Sequence, residues 1–364
     1  MNNKKDFKPF KVGTIFNPIR DITQPIGARK PILKMIEIYY PYRLNAMAID
    51  PSKITENNNL RYSPGEIIIK TNIYNKIKIS LKNNGQISVS KKSKRRPLIL
   101  HAALIMKKAL RFHHGLKIEV ENENVLKHTG LGSSSNIIAA VASAINEIFG
   151  KPIDRDTLIR YVAQNHGEEI FNDPDLLSPV QCIGGSAAAG QYPGAILLLT
   201  GENQVISSTK LPKNLKIVIG VPQDYKELDA QTLLKKEIEI FPKVRYCGLK
   251  YSREIAYRIV HEVLPALKIG DISPLGDLIF DYRFKMGSID YCSYHYPRLT
   301  KIAKKLSVLK ERGSVQILSL SSVGPSFFAL GGDTKTCLKI FEKQGLLTRI
   351  CKIENQPYRV IKKR

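Results

Sequence analysis

Between residues 128 and 136 the chain reads HTGLGSSSN, and IIAAVASAINEIFG follows directly. In that second stretch Ile137, Ile138, Val141, Ile145 and Ile148 fall at steps of one, three, four and three, so the spacing predicts a helix with one face in a core. A helix start carries about half a positive charge and several unpaired backbone N–H groups. A loop that curls with positive φ can bring those amides close to an anion, and glycine supplies that freedom. Gly130 and Gly132 meet the requirement, and Leu131, Ser133, Ser134 and Ser135 add further amides and hydroxyls. The spacing is neither GxxxxGK[ST] nor GxGxxG. Taken alone, a Gly/Ser tract is a flexible connector; the strand alternation of GLKIEVENE before it and the amphipathic run after it favour a site for a di- or triphosphate.

A chain of 364 residues exceeds what one core usually holds, which predicts two domains. Residues 1–34 are basic, Pro- and Gly-containing and aperiodic, and read as an extension tied down late if at all. Strand patterns begin at MIEIYY and continue through RLNAMAID, EIIIKTNI, KIKISL and QISVS, with a helix expected over 98–114. DRDTLIRYVAQNHGEEIF reads as another helix, capped by Asp154 or Asp156, and QCIGGSAAAGQYPGAILLLTG as a small-residue loop entering a buried strand. LKIVIGVP starts afresh, which puts the boundary between domains 35–212 and 213–364. Helices are expected near 227–241, 251–268, 271–286 and 297–312, then strand–loop–strand around SLSSVGPSFFALGG and a closing helix–strand pair.

No stretch reaches signal-peptide or membrane-spanning length, so a cytoplasmic location is expected. The five cysteines stand far apart, with no metal-ligand spacing, and are expected to be reduced. The 57 Lys+Arg against 32 Asp+Glu, a formal +25, favour polyanionic partners, yet a basic field concentrates phosphorylated metabolites as readily as nucleic acid. KKSKRR at 91–96 is either a solvated loop ahead of a helix or a phosphate contact.

VLKHTGLGSSSNIIAAVASAI resembles the phosphate-loop motif of the GHMP superfamily of small-molecule kinases, and SLSSVGPSFFALGG resembles its late glycine motif. The likeness runs over roughly residues 35–350. In YPYRLNAMAID, HTGLGS, IVIGVP, EVLPALKIGDISPLGDLI and LSSVGPSFFALG it is most similar to one non-kinase branch, the β-ribofuranosylaminobenzene 5'-phosphate synthases and related C-nucleoside synthases. The resemblance implies an α+β protein of two domains, the first like domain 2 of ribosomal protein S5 and the second ferredoxin-like. It implies an enzyme that couples phosphoribosyl pyrophosphate to an aromatic carboxylic acid with loss of carbon dioxide and pyrophosphate. Magnesium is expected with the pyrophosphate, with no protein metal cluster, and the resemblance favours a homodimer.

By motif position, the resemblance makes Asp50 the carboxylate near the ribose, and Arg43, Arg61 and His128 the partners of phosphate or carboxylate. It places phosphate on Gly130, Leu131, Gly132, Ser133, Ser134 and Ser135, with Ser322 and Gly324 from the late motif. Each has a structural alternative: Asp50 precedes Pro51 and can start a turn, the arginines can pair with surface acids, and His128 can support the loop. The chain departs from the branch at SPVQCIGGSAAAGQYPGA, with Pro179 near the usual arginine and Gln191 at a usual acid, and at the turn after Arg61.

Two rival readings stay open. An ATP-dependent GHMP kinase would place an Asp near Ser186, but no acid lies between Ser178 and Thr200. RNA binding suits the charge and the Tyr39, Tyr40, Tyr42 cluster around Arg43, but leaves the Gly/Ser loop unexplained, so nucleic acid is the weaker reading.

Overall fold

The computed structural model describes residues 8–22, 26–54, 64–122 and 130–364. Two large sheets and a small three-stranded one organise these residues. In the first, the long antiparallel strands Met35–Ala48 and Glu66–Lys82 are joined by Gly115–Asn122, Ile87–Val89, Ile196–Thr200 and Gln204–Thr209. Period-2 alternation buries Ile36, Ile38, Tyr40, Ile77, Ile79, Ile118 and Val120 beneath helices Arg96–Leu110, Ser133–Ile148 and Arg155–Gln164. Past Tyr40 the strand Met35–Ala48 stops alternating and is buried on nearly every residue, because the second domain covers its other face. Arg43 is the half-buried exception in that run.

The second sheet is wholly antiparallel, with Lys216–Pro222 between Phe327–Leu330 and Leu346–Lys352 and Ile317–Leu320 at the edge. Strand, helices, two strands, helix, strand in that order give the ferredoxin-like arrangement. The fold is therefore α+β, as the sequence implies, with a layer built on the first sheet and a ferredoxin-like layer sharing an apolar seam.

Four local expectations change. The extension is tied into the first domain: Phe10–Lys11 pairs with Leu176 and Leu177, the Gly13 amide donates to His101 Nδ1 at 2.9 Å, and Ile19 and Ile26 are buried. Its scattered apolar residues have no period because each fills a separate gap. The helix begun at Asp154, whose carboxylate accepts from the amides of Asp156 and Thr157 at 3.0 Å, ends at Gln164; Gly167–Ile170 is a strand paired with Asp173–Pro179. The helices expected on either side of Pro242 are one helix, Ala230–Arg258. Pro242 is exposed, and burial of Val244, Cys247, Gly248 and Ile255 offsets the hydrogen bond it removes. Finally, the last strand, Arg359–Lys363, returns to pair with Met35–Ala48 in the first sheet.

Candidate active site

Gly132 adopts φ +68° and starts the helix Ser133–Ile148. Gly130, at φ +84°, sits so close to the late motif that a Cβ there would lie 2.1 Å from the Ser321 carbonyl oxygen. Only glycine lets the two loops meet. Ser321 Oγ donates to the Gly130 carbonyl at 2.7 Å, and the Ser322 amide donates to the Asn45 carbonyl at 2.9 Å. Ser322 and Gly324 line the same cavity as Gly130, Gly132 and the three serines, while Leu131 turns into the apolar core.

Arg43 reaches this loop from the first sheet. Its Nη1 donates to the Gly130 carbonyl at 3.3 Å, and the guanidinium lies so near Gly132 that a Cβ there would be 2.8 Å from Cζ. Its Nε is buried with no hydrogen-bond partner among the described residues. An unpaired buried N–H costs free energy, and an anion on the loop would satisfy it. Ser135 Oγ donates to Ser186 Oγ at 2.7 Å, which ties the loop to the small-residue helix Gly185–Gln191.

Two further charged groups stand beside the loop. Glu66 is 1% exposed; it accepts from the Gly185 amide at 2.7 Å and from the Asn45 side-chain amide. Arg95, from the KKSKRR run, donates to Ser133 Oγ at 2.7 Å and pairs with both Glu168 and Glu169. Glu168 in turn accepts from Ser134 Oγ at 2.7 Å. Arg95, Glu168 and Ser186 thus converge on the serines of the first turn of one helix, with Arg43 on the glycines ahead of it.

The cavity in front of them has a volume of about 200 Å³. Its facing wall belongs to the helix Ala230–Arg258 and presents Leu233, Leu234 and Glu237, with His295 beside them. Burial, reinforced by the charge of Glu168, pushes the Glu237 carboxyl above its ordinary range despite a hydrogen bond from Tyr294 Oη at 2.9 Å. His166, also lining the cavity, is pushed down to about 4 by burial and is neutral at pH 7. Among the described residues no cluster of three His, Cys, Asp or Glu could hold a metal.

Of the residues named from sequence, Arg43 and the 130–135 loop come together with Ser322 and Gly324. Asp50 is not among the lining residues: its carboxylate accepts from the Ser52 amide at 3.0 Å and from Ser52 Oγ at 2.5 Å, the turn-starting role that its place before Pro51 allows. Arg61 and His128 lie outside the described residues. Sequence reasoning missed Glu66, Glu168, Glu237 and His166. It saw Arg95 only as part of a basic run.

A left-handed glycine at a helix start, flanked by a late glycine loop, is set here in a fold of the α+β class. More particularly, residues 97–173 match the family GHMP kinases N terminal domain. No curated protein matches the chain in sequence. Solved structures share its fold: homoserine kinase from Cytophaga hutchinsonii (14% identity, TM-score 0.59), covering 91% of this chain and 99% of that one; mevalonate diphosphate decarboxylase from Staphylococcus aureus (15%, 0.62), also 91% and 99%; and L. major mevalonate kinase in complex with R-mevalonate (13%, 0.58), 90% and 99%. At such identities the likeness establishes the GHMP-kinase fold, and the reaction has to be argued from the site. Among the described residues no helix is long and apolar enough to cross a membrane.

Proposed function

We propose that the 130–135 loop binds a diphosphate as a leaving group, and that the protein is a phosphoribosyl-transferring enzyme of the C-glycosylating kind. The observation that supports this reading is an anion-ready loop that meets Ser186 where a kinase would place its acid, while the nearby carboxylates Glu66 and Glu168 are engaged with Gly185 and Asn45 and with Arg95 and Ser134. The substrate is phosphoribosyl pyrophosphate and the acceptor an aromatic carboxylic acid, as the resemblance implies. The C1–O bond breaks with its electron pair going to pyrophosphate. The ring carbon bearing the carboxylate bonds to C1, and the pair of the C–CO2 bond returns to the ring as carbon dioxide leaves.

The loop amides and Arg43 oppose the charge gathering on pyrophosphate. Glu66, buried beside the loop, supplies the negative charge that a positive ribose ring requires, a role that its place in the cavity suits better than that of Asp50. The 1% exposure of Glu66 keeps that interaction unscreened by water. A bound magnesium would supply positive charge to offset that of the departing pyrophosphate. The oxygens of Glu168 and Ser134 would be the ones to hold it, since this ion takes one or two protein ligands plus substrate phosphate.

A second reading, an ATP-dependent small-molecule kinase, draws support from the kinase family match and the shared fold. One experiment separates them. Incubation with phosphoribosyl pyrophosphate and aromatic acids releases pyrophosphate and carbon dioxide under the first reading. Release of ADP from ATP with a small alcohol, and no pyrophosphate from the first mixture, overturns it in favour of the second.

A further inference from the structure

Near its end the strand Met35–Ala48 bulges: Asn45 pairs with Ile68 and Met47 with Ile67, so Ala46 has no partner in the ladder. A bulge frees carbonyls from the sheet, and a buried carbonyl needs a donor. The second domain supplies the donors. Ser319 Oγ donates to the Ala46 carbonyl at 2.8 Å and the Ser322 amide to the Asn45 carbonyl at 2.9 Å. Arg283 reaches both, with Nε 3.0 Å from the Ala46 oxygen and Nη2 3.5 Å from the Asn45 oxygen. It stands in the π-helical turn Asp281–Lys285, is 2% exposed, and donates further to Ser319 Oγ at 3.1 Å and Ser288 Oγ at 2.9 Å. Its guanidinium also lies over the Tyr282 ring.

Every one of these acceptors is neutral. Among the described residues Arg283 has no carboxylate at ion-pair distance, in contrast to Arg95, likewise buried, which pairs with two. Glu66 lies on the other side of Asn45 and accepts from its side-chain amide, so the two opposite charges are parted by a neutral residue. A guanidinium taken out of water without an anion gives up hydration that hydrogen bonds to neutral groups repay only in part, and its field then acts through protein instead of solvent. An anion on the 130–135 loop would supply the missing opposite charge. Asn45 and Ser322 line the cavity, and Arg283 shares the Asn45 carbonyl with the Ser322 amide, which puts it one residue behind the wall. We propose that Arg283 is a positioning residue of the anion site: its charge, held unneutralised on the bulge behind Asn45, raises the affinity of the loop for di- and triphosphates. The inference rests on the anion-binding reading of the loop and not on the reaction assigned to the cavity.

Calorimetric titration of the full chain with inorganic pyrophosphate tests it. Arg283→Lys keeps a cation, Arg283→Gln removes it, and both give up the planar fork. The glutamine variant is expected to bind about ten-fold or more weakly than the wild type, and the lysine variant within about three-fold of it. Ser288→Asp is the sharper change, because it leaves the arginine and its backbone acceptors in place and gives Nη1 a carboxylate. It too is expected to weaken pyrophosphate binding about ten-fold, with the urea midpoint at or above that of the wild type. A purely structural role for Arg283 would not produce that split. Equal losses in the lysine and glutamine variants, or wild-type affinity in Ser288→Asp, overturns the inference. A wild type that binds no pyrophosphate overturns the reading of the loop, and this inference with it. Should the Arg283 variants fail to fold, Ser288→Asp decides.

Discussion

On the loop side of the cavity Arg43, Glu66, Arg95 and Glu168 are locked to the backbone and to serine hydroxyls, whereas the wall facing them offers Leu233, Leu234 and one carboxyl bonded to Tyr294. The loop side is preorganised: its dipoles are aimed before any ligand arrives, and moving them would leave buried charges unpaired. The facing wall has few polar groups to fix. A site divided in this way can hold one chemical group, an anion, by rigid electrostatics, and accept different reaction partners by exchanging apolar residues opposite.

The hardest way to break the rigid side is Gly130→Val. Its side chain would collide with the Ser321 carbonyl, part the two loops and strain a left-handed residue. We expect a loss of about 4 kcal/mol or more in denaturant unfolding and no retained pyrophosphate binding by calorimetry. Arg95→Ala comes next. It leaves Glu168 and Glu169 largely buried without their guanidinium, for a loss of about 3–5 kcal/mol, read from the urea midpoint. An unchanged midpoint would mean that the carboxylates find other partners and that the loop is not held by this pair.

Acid sharpens the comparison by acting on the rigid side. His166 is held neutral by burial down to about 4, and burial also lowers His101, which accepts from Gly13 at Nδ1 and donates from Nε2 to the Asn165 carbonyl. Both are bases whose folded pKa lies below the unfolded value near 6.5, so the unfolded chain takes up protons first as pH falls. Stability attributable to His166 is full above about 6.5 and is lost between there and about 4, on the order of 3 kcal/mol. A His166→Gln variant should flatten that part of the stability–pH curve; an identical slope would show that His166 is protonated without penalty.

The smallest effect is expected across the cavity. Glu237 has a raised folded pKa, so its carboxylate form opposes folding as pH rises. Glu237→Gln should therefore gain a few tenths to about 1 kcal/mol at neutral pH, with the gain vanishing below the ordinary glutamate range. A loss at neutral pH instead would mean that the ionised carboxylate contributes a favourable contact that the amide cannot replace.

Local pattern made much of this fold legible. Alternation in MIEIYY and KIKISL and the 3.6-residue stripe after the loop encode which face is buried, and Gly130 and Gly132 encode a backbone that other residues resist. The helices expected near 227–241 and 251–268 run together through Pro242, because the helix-breaking propensity of one exposed residue is outweighed by burial of the turns after it. GEEI at 167–170 misled because its strand partner, not its own composition, decides its state. In the site, Arg43 sits in a recognisable strand motif next to the loop. Glu66 and Glu168 sit in stretches with no motif, and Asp50 showed that the acid nearest a motif need not face the cavity.

By itself, then, the sequence determined a glycine-turned loop on an amphipathic helix and a second domain of alternating strand and helix, since hydrophobic period and glycine φ are properties of short segments. Only the tertiary structure decided which charges serve that loop. Arg95 and Glu168 are 73 positions apart, and Glu66 and Gly185 are 119 apart. Such pairs are chosen by the docking of sheet, helix and loop around a shared core, where a buried charge must find its partner wherever in the chain that partner lies.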